Sequence, residues 1–252
     1  MTKTIIVTSG KGGTGKTSLC AGVGAALSEL GYRVLLIDAD AGMRSLDLTL
    51  GIQESAMFDF FDVCLGRIDI KDASVTPDGL PNLSVLSAPA FSVSSGLPED
   101  SLEKVVEKAR KSGLYDYIFL DSPAGLGSGF RMAASCADAA IVVSGSDRVS
   151  LRCAERTSLA LSQHDVTDVF LVVNRVRRKL LSSEGALNID DAMDLSGLPL
   201  LGYVPDDDAV YKSLLMCKPV LVAAKEKKYS AVRAYKNIAK RITGETVKLM
   251  RK

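Results

Sequence analysis

Ile5-Ile6-Val7-Thr8-Ser9-Gly10-Lys11-Gly12-Gly13-Thr14-Gly15-Lys16-Thr17-Ser18 is the stretch that decides the fold of this chain. From Gly10 to Thr17 it satisfies G-x-x-x-x-G-K-[ST], set between an apolar run of strand type and a run of helix type. Each part of that pattern has a physical task. The glycines let backbone N–H groups turn inward around phosphate oxygens. The helix that follows aims the positive end of its dipole at the same anion. Lys16 is placed to meet β- and γ-phosphates, and the Thr17 hydroxyl is placed to ligate Mg²⁺. A plain glycine-rich turn explains neither the lysine nor the strand-then-helix context.

Lys11 lies directly after the first glycine of the loop. An ordinary loop of this kind requires no charge there. It reads either as a solvated surface lysine or as a second cation aimed at nucleotide phosphates, including those held by a partner subunit.

Working outward, the chain alternates. Apolar runs at 4–9, 34–38, 83–87, 117–121, 139–144, 169–174 and 200–204 read as buried parallel strands. Helical patterns fill 17–30, 102–111, 149–163, 206–217 and 230–243. Alternation of this kind predicts an α/β fold with a single doubly wound, mostly parallel sheet and helices on both faces. No linker or repeat interrupts it, so 1–244 is expected to be one nucleotide-binding domain followed by a short tail, 245–252. The proline-flanked segments 77–81 and 89–98 read as loops around one strand.

Composition bounds the class. The chain has 252 residues, 47% of them hydrophobic and 24% charged, enough for one large α/β domain. Its 31 basic and 30 acidic residues nearly cancel, so net charge points neither to nucleic acid nor to an acidic partner. The apolar run after Lys3 is too short for a signal peptide, and none approaches a membrane span. Cys20, Cys64, Cys136, Cys153 and Cys217 are scattered with no C-x-x-C, as expected in a reducing cytoplasm.

In a doubly wound sheet the ligand lies at the carboxyl ends of the strands, so residues that end strands carry the information. Asp38 and Asp40 end the second run; they orient water near Mg²⁺ or the γ-phosphate, or else cap a turn. Asp121 follows four apolar residues, the Walker B pattern of a carboxylate that holds Mg²⁺. Asn174 ends the sixth run, where an amide can read an adenine edge or simply close a turn. Arg175 beside it, with Pro205 and Asp206 after the last strand, completes the candidate nucleotide contacts made by Gly10 to Ser18.

These motifs carry a resemblance. The early lysine Lys11 in the loop, Asp-Ala-Asp-Ala-Gly-Met-Arg-Ser-Leu-Asp at 38–47 and Asp-Ser-Pro-Ala-Gly at 121–125 resemble the MinD/ParA family of deviant-Walker-A ATPases, most closely its MinD branch. The match runs over nearly the whole chain. The resemblance implies ATP and Mg²⁺ as ligands and an ATP-dependent, face-to-face homodimer in which Lys11 reaches the partner subunit's phosphates. It implies catalytic roles for Lys11, Lys16 and Asp40, with Thr17, Asp38 and Asp121 around the metal and Gly12 and Gly13 keeping the loop flat enough for the subunits to approach. It further implies slow hydrolysis used as a timer, partners of MinC or MinE type, and a cytoplasmic protein peripheral on the inner face of the cell membrane.

The chain departs from the family in two places. The family's amphipathic end is here only Glu245-Thr246-Val247-Lys248-Leu249-Met250-Arg251-Lys252, marginal as a helix and readable either as a weak anionic-membrane contact or as a frayed end. In the helix after the fifth strand, where the family carries an acidic residue in a Val-Arg-Asp-type partner-contact segment, the chain reads Ser150-Leu151-Arg152-Cys153-Ala154-Glu155, which weakens the implication of MinC- or MinE-type partners. One alternative is another P-loop ATPase regulator; the other is a ParA-like DNA-partition ATPase. The latter would draw on the basic clusters Arg175, Arg177, Arg178 and Lys179, and Lys225 to Lys240.

Overall fold

The computed structural model of the protein describes residues 1–90, 97–177 and 187–250. The strands are β1 (Lys3–Thr8), β2 (Val34–Asp38), β3 (Leu83–Leu86), β4 (Tyr117–Asp121), β5 (Ala139–Ser144), β6 (Val169–Val176) and β7 (Leu200–Pro205). They form one seven-stranded sheet in the order β3-β2-β4-β1-β5-β6-β7. Every strand pair is parallel, so the sheet is wholly rather than mostly parallel.

The long helices expected from periodicity are α1 (Lys16–Glu29), α5 (Ser101–Ser112), α7 (Arg148–Ser162), α9 (Asp208–Leu215) and α11 (Ala231–Ile242). Short ones lie between them: α2 (Ser45–Leu50), α3 (Phe60–Cys64), α4 (Ile70–Ala73), α6 (Ser128–Ala134), α8 (Ile189–Ser196) and α10 (Val220–Ala223). Segments of one or two turns repeat the 3.6-residue period too few times to stand out by it, and of the two eight-residue helices only α9 lies in a longer periodic run. Two of them are signalled by their caps. Asp59 with Asp62, and Asn188 with Asp191, form reciprocal capping boxes. Helix α9 begins two residues later than its sequence pattern because the Asp207 side chain accepts from the Ala209 N–H and caps it there.

Continuous apolar strands follow from the two cores. Ile6, Leu35, Ile37, Ile118 and Leu120 pack on one side with Phe60, Leu102, Phe130 and Leu151. Their alternates Ile5, Val7, Leu36 and Phe119 pack on the other with Leu19, Leu46, Tyr235 and Ile238. With helices on both faces, nearly every strand position is buried or half-buried, the exposed Arg175 near the end of β6 being the exception among the described residues. Helix α1 comes unusually close to α11: a Cβ on Gly22 would fall 2.4 Å from the Tyr235 ring. That approach accounts for Gly22, and the closeness of α1 to β2 accounts for Gly24, where a Cβ would fall 2.6 Å from Leu36.

The tail is neither helical nor loose up to Met250. The Arg241 guanidinium donates to the Val247 carbonyl at 2.8 Å and to the Leu201 carbonyl at 3.0 Å. The Tyr203 hydroxyl donates to the Met250 carbonyl, and the Met250 side chain packs on the core. Leu249 stays 42% exposed. No helix among the described residues is long and apolar enough to cross a membrane.

Candidate functional site

The loop after β1 turns back into α1 through Gly13 and Gly15, whose φ angles are 75° and 89°. Gly15 admits no side chain for a second reason: a Cβ there would lie 2.3 Å from the Asn174 amide nitrogen. Helix α1 has no side-chain cap and no acid in its first turn. Its N-terminal N–H groups and positive dipole end are therefore left unneutralised toward an anion. Inside the loop, the Thr14 hydroxyl donates to Ser9 Oγ at 3.0 Å, and Ser9 Oγ donates to the Lys11 carbonyl at 2.7 Å.

The two loop lysines address different places. Lys16 is 9% exposed; burial lowers its pKa, and the nearby carboxylates of Asp121 and Asp40 push it back up. The exposed Lys11 leans instead to the start of α7, its Nζ 3.5 Å from Ser150 Oγ. Ser150 Oγ in turn donates to Asp147, the α7 cap, at 2.5 Å.

Near Lys16 lie Asp121, which ends β4, and Asp40, just past β2, with Asp38 beside Asp121. Asp38 is 0% exposed and accepts from the Asp40 N–H at 3.0 Å and the Leu46 N–H at 3.1 Å. Its register partner across β2 and β4 is Asp121. Burial, then the Asp121 charge, hold the Asp38 carboxyl well above the usual carboxylate range. Asp121 is raised too, by burial first, against the lowering effect of the Thr17 hydroxyl and of Lys16. Burial also raises Asp40, and Lys16 partly offsets this. One oxygen of Asp121, Oδ1, is sealed from solvent and has no hydrogen-bond partner.

An orphaned buried carboxylate oxygen, a hydroxyl and a second carboxylate in register suit a hard divalent cation. Among the described residues no group of three or more His, Cys, Asp or Glu is placed to cage a metal. Magnesium held by one or two protein groups and substrate phosphates needs no such cage.

Beyond the loop, a cavity of about 330 Å³ is lined by Gly15, Ser18, Asn174, Arg175, Pro205 and Asp206 among others. A second, of about 310 Å³, lies against Lys11, Gly12, Gly13 and Thr14. Asn174 and Arg175 line both. The expected contacts are thus gathered in one place, although Asn174 does something its position in sequence did not suggest. Its amide donates to the Thr14 carbonyl at 2.7 Å and accepts from the Arg175 N–H at 2.9 Å. The nitrogen end of the amide braces the loop, while its oxygen is taken up by the next residue's own backbone. Arg175 adopts a left-handed φ of 55°, and Asp206 pairs with Arg177 at 2.9 Å.

Sequence reasoning missed Ser150 and Asp147 beside Lys11, and Ser87, which donates to the buried Asp47. Asp147 sits three residues before Ser150 at a helix start, a capping signal that was legible. Ser87 carries no local signal. The basic clusters are partly neutralised: besides Arg177, Lys236 pairs with Glu29 at 2.8 Å and with Glu226 at 3.5 Å. Arg178 and Lys179 lie outside the described residues.

Comparison with known proteins agrees with this geometry. Residues 5–220 match the model of the CobQ/CobB/MinD/ParA nucleotide binding domain. The septum site-determining protein MinD of Synechocystis is 36% identical over 247 residues, covering 98% of this chain and 91% of that one. Among solved structures, the MinC:MinD cell division complex of Aquifex aeolicus superposes with a TM-score of 0.89 at 34% identity, covering 99% of this chain and 98% of that one. MinD of Pyrococcus horikoshii complexed with Mg-ADP gives 0.84 at 28% identity, with 96% of each chain covered.

Proposed function

The chain belongs to the CobQ/CobB/MinD/ParA nucleotide-binding family, and on that premise we propose that it is a MinD-type ATPase that acts as a switch in septum-site selection. The observation that carries the reading is the meeting of Lys16, Thr17, Asp38, Asp40 and Asp121 at one end of the sheet, with Lys11 directed away from them. Lys16 and the N-terminus of α1 bind the β- and γ-phosphates of ATP. Thr17, Asp38 and Asp121 would hold Mg²⁺, which when bound neutralises phosphate charge. Asp40, beside Lys16, orients the attacking water. The Asn174 brace keeps the Gly15 turn in shape, and the cavity past Ser18 takes the base.

Lys11 has no phosphate role within its own chain that Lys16 does not already fill. Its position at the loop's outer face suits a face-to-face homodimer, each Lys11 reaching the other subunit's nucleotide. Hydrolysis then ends the dimer. The Aquifex relative was solved with MinC, which supports a partner of MinC type on the dimer; a MinE-type activator is the further expectation. Membrane contact is peripheral and weak, through Leu249 and its neighbours, strengthened when a dimer presents two tails. The DNA-partition alternative loses ground because Arg177 and Lys236 already have acidic partners.

Titration with a fluorescent ATP analogue, followed by light scattering with ATP and with ADP, tests the reading. Saturable Mg-ATP binding with ATP-specific dimers is expected. A monomer in both nucleotides rules out the switch.

A further inference from the structure

The segment after β2 carries Asp40, and it is held from behind by groups that touch no part of the nucleotide cavities. Arg44, in the left-handed region at φ 49°, donates from Nε to Asp47 at 2.8 Å and from Nη2 to the Ala56 carbonyl at 2.9 Å. Asp47 is 2% exposed, and its other oxygen accepts from Ser87 Oγ at 2.6 Å. Ser87 follows β3, and its carbonyl accepts from the Phe60 N–H at 3.0 Å. A single buried carboxylate therefore joins the segment after β2 to the one after β3, and Arg44 extends the chain to residue 56. Nearer the site, the Gly42 N–H donates to the Pro89 carbonyl at 2.9 Å.

An ion pair between a buried carboxylate and a half-buried guanidinium is a poor general stabiliser, because desolvation offsets much of its attraction. What it supplies here is geometry. The two donors of Arg44 go to different acceptors, a task for a rigid guanidinium fork and not for a lysine. Arg44 and Asp47 follow Asp40 closely in sequence, and between them the Leu46 N–H donates to Asp38 of the site.

We propose that Arg44, Asp47 and Ser87 are positioning residues that hold the 39–44 loop so that Asp40 stays beside Lys16. The inference rests on the reading of Asp40 as the residue that orients water. None of the three touches reacting atoms, so their loss should act on the hydrolytic step and leave nucleotide binding and dimerisation intact.

The test compares Arg44→Ala, Arg44→Lys, Ser87→Ala, Asp40→Ala and the Arg44→Ala/Asp40→Ala double variant in the full chain. Single-turnover hydrolysis of Mg-ATP, fluorescent-nucleotide affinity and ATP-dependent light scattering are read for each. Arg44→Ala should lower the hydrolysis rate about tenfold or more with affinity and dimer formation within about twofold. Arg44→Lys should fall between it and the unaltered chain. The double variant should be no slower than Asp40→Ala, because a residue that acts only through Asp40 adds nothing once Asp40 is gone. An unchanged rate in Arg44→Ala, or an additive loss in the double variant, overturns the inference, as does an equal loss of nucleotide affinity. If Arg44→Ala does not fold, Ser87→Ala decides, with a fall of about threefold expected and no change overturning the inference. Normal hydrolysis by Asp40→Ala removes the underlying reading. Impaired Asp40→Ala with normal Arg44→Ala removes only the inference.

Discussion

Asp38 and Asp121 stand opposite each other at the ends of neighbouring parallel strands, register partners with 0% and 1% exposure. Two buried carboxyls of like charge at this spacing cannot both ionise cheaply, and burial raises both. Such an arrangement stabilises nothing by itself. It makes sense as a place where a cation belongs, and it sets up the first prediction.

A carboxyl with a raised folded pKa holds its proton better in the folded chain than in the unfolded one. Stability contributed by this pair is therefore fullest at low pH. It declines as pH rises from about 4 to the pair's own range of about 7 to 8, then levels off. Asp121→Asn removes one of the charges. At pH 8 it should raise Tm by a few degrees, at roughly 2–4 °C per kcal/mol for a chain of this size, and flatten the decline. Mg-ATP binding should be lost together with that gain. Scanning fluorimetry from pH 5 to 8 reads it; a lower Tm at pH 8 would sink the argument.

Lys16→Ala should abolish Mg-ATP binding under conditions that saturate the unaltered chain. Each charge-assisted phosphate contact is worth roughly 1.5–3 kcal/mol, about tenfold to a hundredfold in affinity. The variant also leaves Asp40 and Asp121 without their nearest cation. Undiminished affinity for a fluorescent nucleotide would end the phosphate-loop reading.

Lys11→Ala should behave differently, since Lys11 points to α7 and not to Asp121. Nucleotide affinity of the monomer should stay within about twofold, because no contact to the chain's own phosphates is removed. ATP-dependent dimers should disappear. Light scattering in the Asp40→Ala background, where hydrolysis no longer limits dimer lifetime, gives the readout. Dimers that form as well without Lys11 count against the sandwich.

Gly22→Ala should destabilise the fold without touching the site. The added Cβ would lie 2.4 Å from the Tyr235 ring, itself 1% exposed and unable to retreat. Overpacking of this kind costs about 1–3 kcal/mol. Denaturant unfolding should show the loss, and nucleotide affinity measured well below Tm should be unchanged. An unaltered midpoint would mean that α1 and α11 are less tightly joined than described.

Removal of the tail after Thr243 should reduce ATP-dependent flotation with anionic liposomes. Val247 and Met250 are tied by Arg241 and Tyr203, so Leu249 is the exposed apolar group of the segment. A single such chain binds weakly, and two in a dimer bind with higher avidity. Equal flotation of the shortened and intact chains would place the contact elsewhere.

Much of this protein was local and therefore legible. The loop at 10–17, the seven apolar runs and the strand-end aspartates are contiguous patterns, and a parallel sheet covered on both faces turns such patterns directly into strands. The doubly wound topology followed from their alternation, which also put Lys16, Asp38, Asp40 and Asp121 at the carboxyl ends of the strands. What only the tertiary structure decided involves partners distant in sequence. The Asn174 amide meets the Thr14 carbonyl across 160 positions, and Ser87 meets Asp47 across 40. Neither distance leaves a trace in periodicity or composition. Folding also set the divergence of Lys11 from Lys16, because it depends on where α7 packs against the loop. The short helices and the fastened tail were hidden for a simpler reason: they are too short to show a helical repeat more than once or twice, or are not helical, and their place is fixed by the core they cover.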